Sequence, residues 1–260
     1  MRAIVSLLAA ASFLIPASSE PRRLSTWSIA AADLQTGMVG VAGASCVPNT
    51  HIDAIAALVP GKGVAATQAF FDLSNRNKVF GMLRAGESAD EIIKQVTNRS
   101  GDISPEDRQY GVVTFKDGVA KAVGFTGKSA IPWAGSEQDQ KLAFSVQGNI
   151  LEGANVVADA ARAFREPGSL PDRLMRALEA GSAAGGDSRC NNARVKQTAA
   201  AAFILVARGN DPPYATRDLG ATDEGRPGAP WLALSVRYPD FGPNPVTELR
   251  KKINAWKSRQ

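Results

Sequence analysis

The chain holds one histidine and two cysteines in 260 residues, and aromatic residues make up only 7%. Two cysteines and one histidine do not supply the ligand spacing of a zinc motif, so no metal site is expected. A Ser-His-Asp triad would have to use His51, and no G-x-S-x-G elbow accompanies it. A dense run of Lys and Arg interleaved with aromatics is also missing. The 30 basic and 25 acidic residues leave a net charge of +5, too thin for the concentrated footprint of a nucleic-acid binder. No nucleic-acid partner and no cofactor are expected. The 24 Gly and 15 Pro follow no strict period, which excludes collagen-like and low-complexity chains. Past the N-terminus no apolar run approaches the ~20 residues of a membrane-spanning helix, so no span is expected after signal removal.

What is present is the composition of a folded protein, 44% hydrophobic and 21% charged, enough to bury a core. At the start, Met1-Arg2, an apolar run from Ala3 to Ala17 and the small residues Ala17-Ser18-Ser19 precede Glu20-Pro21-Arg22-Arg23. A positive end, a short apolar stretch and an A-x-S site predict a signal peptide over residues 1–19 and a secreted or periplasmic protein. Export lets disulfides persist. Cys46 and Cys190 allow one intramolecular pairing, and a bond between them is expected; two separate buried thiols are the alternative.

Residues 27–32 and 38–44 read as strands around the turn 33–37, small or apolar on both faces, which suits a sheet covered on both sides. A third strand is expected over 63–70, then a helix from about Asn75 stopping at Gly86. A capping box, Ser88-Ala89-Asp90-Glu91, starts the next helix. Strands 110–115 and 119–125 are joined through Asp117-Gly118, and 142–146 is another. Helices follow over 155–165 and 170–180, with Asn155 and Ser169 as N-caps and Gly181 as a stop. Strands at 198–206 and 231–236 precede a final helix from Pro245, whose apolar stripe is Val246, Leu249, Ile253 and Trp256. Strands and helices in blocks argue for layers with helices on sheet faces. No repeat or polar linker divides the body, so one domain is expected over 26–260.

Six segments, Thr26–Ala30, Val39–Ala42, Val64–Ala69, Ile131–Gly135, Val146–Leu151 and Ala183–Asp187, together resemble one bacterial family across about Thr26 to Ala207. It is the family catalogued as domain of unknown function 1028, grouped with the N-terminal-nucleophile hydrolases. The resemblance implies an α+β fold, a four-layer αββα sandwich of two packed sheets with helices on both outer faces. In the wider superfamily a residue at the mature N-terminus attacks an amide with its own α-amine as base, a group whose reference pKa of ~7.7–8.0 suits neutral pH. The matching position here is Thr26. The chain departs from the pattern, because cleavage after Ser19 leaves Glu20 to Ser25 in front of it. Either a second cut falls between Ser25 and Thr26, or the protein is an inert envelope binding or structural module on the same fold.

Other candidate groups surround this reading. Gln147 and Asn149 flank Gly148 at a strand end, where amides can hold an oxyanion; a plain Gly-Asn turn is the alternative. Asp187 and Arg189 on a Gly-rich loop suit the grip of a polar ligand, or a loop ion pair. Asp33 and Lys62 match the carboxylates and lysines that tune the nucleophile in the superfamily, and are otherwise an ordinary turn residue and an ordinary surface residue. The Thr26 hydroxyl is expected to open into a cleft that these groups also reach. The substrate expected is small and polar or peptide-like, and a homo-oligomer is left open.

Overall fold

The computed structural model describes residues 22–24, 26–191, 197–216, 228–239 and 242–260; the expected signal peptide lies outside them. The first sheet runs in the order β11 (Tyr214–Ala215), β4 (Ala56–Val59), β5 (Gly63–Phe71), β6 (Arg108–Lys116) and β7 (Val119–Thr126), with the short β1 (Arg22–Leu24) also paired to β5. The second runs β12 (Leu232–Arg237), β10 (Ala201–Ala207), β3 (Val39–Ser45), β2 (Trp27–Ala32), β9 (Phe144–Gly148) and β8 (Gly135–Asp139). Every pairing between these strands is antiparallel.

Helices α1 (Leu73–Ala85) and α2 (Ala89–Val96) cover the outer face of the first sheet. Helices α3 (Asn155–Arg165), α4 (Leu170–Ala183) and α5 (Pro245–Lys257) cover the outer face of the second. The fold is an αββα sandwich. The two-residue period of a strand divides β2 between its neighbours: Trp27, Ile29 and Ala31 pack toward the helices, while Ala30 and Ala32 pack toward the other sheet. Every residue of β2, β3 and β10 is buried, as their mostly small and apolar side chains require.

Local chemistry places the ends of several elements. Asp117 and Gly118 both take positive φ, at 50° and 77°, the turn that matches the twist of the β6–β7 hairpin. Ser88 caps α2 by accepting from Glu91 N at 3.2 Å, but the Glu91 carboxylate turns to Lys94 and Gln95 and does not reach back. Asn155 is the first residue of α3, not its cap. Gly181 lies inside α4 because a Cβ there would come within 2.6 Å of Trp27 Nε1; the glycine permits contact between helix and strand. The stripe of α5 is buried at Val246, Leu249 and Ile253, and Trp256 meets the Trp231 ring edge-on at 4.7 Å.

Cys46 and Cys190 are bonded, with Cα atoms 5.6 Å apart and a sequence separation of 144. The bond ties the residue after β3 to the loop that precedes β10. Among the described residues no helix is long and apolar enough to cross a membrane.

Candidate functional site

Thr26 directly precedes β2, one position beyond the pairs that Trp27 makes with Ala44 and Gly148. That register sets it between Ser45 on one side and Asn149 on the other. The alternation of β2 turns Thr26 and Ser28 toward the facing sheet, where Gln68 of β5 awaits them. Gln68 Nε2 donates to the Thr26 carbonyl at 2.8 Å, and Asn149 N donates to the same oxygen at 3.3 Å.

These contacts belong to a relay of side chains across the space between the sheets. Ser145 Oγ donates to Gln147 Oε1 (2.7 Å), Gln147 Nε2 to Ser28 Oγ (2.6 Å), and Ser28 Oγ to Gln68 Oε1 (2.6 Å). Gln68 Nε2 then donates to Gln109 Oε1 (2.9 Å), and Gln109 Nε2 to Gly148 O (2.8 Å). Asn149 Nδ2 joins at Gln109 Oε1 (3.0 Å). Ser28, Gln68, Gln109, Ser145, Gln147 and Asn149 are all buried, so each amide and hydroxyl must find a partner inside the protein, and the relay supplies it. Gly111 makes room for it: a Cβ there would fall 1.9 Å from Gln147 Oε1. The relay consists of amides and hydroxyls, and none of its side chains is a base at neutral pH.

Backbone strain sits beside two of its members. Ala69, next to Gln68, and Ile150, next to Asn149, adopt φ of 70° and 54°. Such values cost a residue with a Cβ, most of all a β-branched one, and cluster at functional sites.

The relay brings together Thr26, Gln147 and Asn149. Asp187 and Arg189 stand nearby, but each engages the other: Asp187 Oδ1 accepts from Arg189 Nε at 2.9 Å and Oδ2 from Arg189 Nη2 at 2.6 Å. The same carboxylate accepts from Cys46 N at 3.0 Å, next to the Ser45 that flanks Thr26. The pair thus braces the disulfide-bearing loop. Asp33 and Lys62 are not at this end of the molecule. Asp33 caps the turn after β2, accepting from Gln35 N at 3.0 Å, and seven extended residues at ~3.3 Å each carry it about 23 Å from Thr26. Lys62 lies in a turn tied to the same end by Gly61 N, which donates to Gly37 O at 3.0 Å. Neither reaches Thr26. His51 has the Arg237 guanidinium on its ring, 2.7 Å from Nε2, and Asp53 Oδ1 3.9 Å from Nδ1.

The family model described as "Family of unknown function (DUF1028)" matches residues 26–231. The chain belongs to that family. The crystal structure of the DUF1028 protein SPO2555 from Silicibacter pomeroyi is similar to this chain with a TM-score of 0.65 at 22% identity, covering 89% of this chain and 88% of that one. At that identity the likeness concerns the fold. No curated protein matches the chain.

In this DUF1028 chain Thr26 has no exposed surface, so its hydroxyl does not open into a cleft as the sequence led us to expect. β1 pairs antiparallel with β5, Leu24 opposite Ala69 and Arg22 opposite Phe71, and the chain then crosses to the other sheet at Thr26. A cleft of about 410 Å³ does open close by, lined by Phe70, Asp72, Lys78, Asp102, Asp107 and Arg108 among others. Arg108 and Tyr110 face the helix side of β6, so one sheet separates this cleft from the relay. Within it Arg108 Nε and Nη2 grip Asp102 at 2.6 and 3.1 Å. Burial pushes the Asp102 carboxyl up, but the Arg108 contact and donors from Ser104 and Asn75 outweigh it and hold the group below its ordinary value.

Sequence reasoning missed Ser28, Gln68, Gln109 and Ser145. One signal for Gln68 was there to find: in Val64-Ala65-Ala66-Thr67-Gln68 it takes the inward position after Val64 and Ala66, and an amide in an apolar face must be matched by another.

Proposed function

We propose that this DUF1028 chain is the latent form of an exported amide or peptide hydrolase of the N-terminal-nucleophile type. Thr26 is the nucleophile, and cutting the peptide bond before it frees the α-amine that serves as base. The observation that carries this reading is the placement of Thr26 at the head of a central strand, gripped through its carbonyl by Gln68 and Asn149 inside a relay that has no base of its own. A hydroxyl needs a base within reach. With the relay neutral, a new α-amine is the group that meets the need.

In the reaction Thr26 Oγ bonds to the substrate carbonyl carbon as its proton passes to the α-amine. The carbon–nitrogen bond then breaks and the proton leaves on the amine product. Water attacks the remaining ester by the same route in reverse, releasing the acid. Asn149 is better suited than Gln147 to face the oxyanion, since Gln147 Nε2 is engaged by both Ser28 O and Ser28 Oγ and so positions the strand. Arg189, a third of whose side chain is exposed, is the member of the Asp187 pair able to meet a polar substrate.

The complete burial of Thr26 favours a second reading, an inert binding or structural module that keeps its N-terminal residues. Intact mass and N-terminal sequencing of the exported protein separate the two: Thr26 at the terminus supports the hydrolase, Glu20 the module. Chains trimmed to begin at Thr26 should hydrolyse members of an amide and peptide panel that Thr26→Ala chains leave intact. Equal activity in both chains sinks the hydrolase.

A further inference from the structure

β5 pairs with β6 along one edge as far as Ala69, and with β4 along the other only as far as Ala66. Beyond Ala66 the partner on the β4 side is the chain's own β1, in the register Leu24–Ala69, Arg23–Phe70 and Arg22–Phe71. Leu24 stands two residues before Thr26, so the acyl side of the bond to be cut already lies along β5 as an extended strand. We propose that the β5 edge at Ala69–Phe71 is a docking site for an extended peptide, filled here by residues 22–24 and opened by their removal, and that the peptide carries a basic side chain opposite Phe70. The inference rests on the cut proposed before Thr26 and makes the substrate of that site a peptide recognised by strand addition.

Two observations point to this occupant. The first is that a peptide strand sits there now, with a register that delivers its C-terminal end to Thr26. Each residue spans at most ~3.6 Å, so a peptide replacing β1 would bring its last carbonyl to the same place. The second is the charge next to Phe70. Residues directly opposite each other in an antiparallel pair project from the same face, and on Phe70's face lies the cleft that holds Asp72, Asp102 and Asp107 against Lys78 and Arg108. Arg108 lies 2.6 Å from Asp102 and 3.8 Å from Asp72, and Lys78 donates to Gly101 O. Three carboxylates against two cations leave this lining with one net negative charge, which favours a cation entering from the strand.

The test uses the chain beginning at position 26 with Thr26→Ala, and a fluorescent peptide with the sequence of residues 20–25. Having no nucleophile, this protein reports binding apart from hydrolysis. The peptide should bind saturably to the trimmed chain and at least about tenfold more weakly to the full chain, whose edge is filled. Replacing its Arg-Arg-Leu by three prolines should weaken binding at least about tenfold, because proline cannot donate to a strand. Glu in place of the second Arg should weaken it severalfold. Equal affinity of the two chains, or of the native and proline peptides, overturns the docking edge; equal affinity of the Arg and Glu peptides overturns the basic preference. Binding of this peptide, with no member of the amide and peptide panel hydrolysed by the Thr26 chain, would remove the hydrolase and leave the docking edge standing. Hydrolysis by a chain that does not bind the peptide would do the reverse. Should the trimmed chain fail to fold, the full chain carrying Arg22→Pro, Arg23→Pro and Leu24→Pro takes its place: faster hydrogen exchange at Ala69 and Phe71 with β6 still protected is expected, and unchanged exchange overturns the proposal.

Discussion

The side-chain amide of Gln68 reaches across the gap between the sheets to the main-chain carbonyl of Thr26, 2.8 Å away. One glutamine thus fixes where the central strand begins, and it does so while accepting from Ser28 and donating to Gln109.

Replacing it should be costly. In a dry interior, Gln68→Leu removes one of two donors to the Thr26 carbonyl, the acceptor of the Ser28 hydroxyl and one of two donors to Gln109 Oε1. A buried group left without its partner costs ~1–3 kcal/mol, and relaxation will recover part of the sum. Urea unfolding should show a loss of about 2–4 kcal/mol. A loss below about 1 kcal/mol would mean that the relay members are not sharing their bonds as described.

Gly111→Ala should destabilise the protein by a comparable amount, since its new methyl group would overlap Gln147 Oε1 at 1.9 Å and overpacking typically costs ~1–3 kcal/mol. The effect should be non-additive. In the double variant Gly111→Ala, Gln147→Ala the closest clash is gone and only Ser145 Oγ at 2.8 Å remains, so its stability should exceed the sum expected from the two single losses by ~1 kcal/mol or more in a double-mutant cycle.

Thiol labelling under denaturing, non-reducing conditions should find neither Cys46 nor Cys190 reactive. Replacing both by Ala should cost about 2–5 kcal/mol, as expected when a cross-link closing a loop of 144 residues is removed from the unfolded chain. The same variant should loosen the Asp187 loop, visible as faster hydrogen exchange at Cys46 N, which donates to that carboxylate.

Asp102 should make the protein acid-sensitive. Its carboxyl is held below the ordinary value in the folded state, so its contribution is fully present above the unfolded pKa of ~3.9 and is lost as pH falls through the lower folded value. Asp102→Asn removes the nearer of two carboxylates on Arg108, leaving Asp72 at 3.8 Å, and should cost about 2–4 kcal/mol at neutral pH. The difference between wild type and variant should shrink below about pH 4, measured by unfolding at a series of pH values. A constant difference down to pH 2 would contradict the assignment.

The architecture was legible in the sequence because its signals are local. The small, apolar runs of β2, β3 and β10 read as strands with two buried faces, and Ser88, Ser169 and Gly86 punctuate helices wherever they occur. Four short strands escaped. β4 and β11 have too few residues to show a period, β8 reads Gly-Ser-Glu-Gln-Asp with no apolar face at all, and β1 stands in a segment read only as the remnant of a leader. The site was half legible. Thr26, Gln147 and Asn149 lie where β2 and β9 end side by side, a neighbourhood visible in the sequence segments. Gln68 and Gln109 come from the opposite sheet, 40 and more residues away in sequence, and only the packing of sheet on sheet brings them in. Asp33 and Lys62 show the converse: β2 turns a short separation in sequence into the full length of a strand.

In the activation proposed above, the three-residue pairing of β1 with β5 separates two events in time. A cut before Thr26 removes a covalent bond, but residues 22–24 stay on β5 through main-chain hydrogen bonds until they dissociate. The new terminus should therefore appear before the open protein does, with a lag that free peptide lengthens and mild denaturant shortens. Freshly cut molecules would still be stoppered by their own severed ends, and a preparation judged by mass alone would overstate how much of it is open.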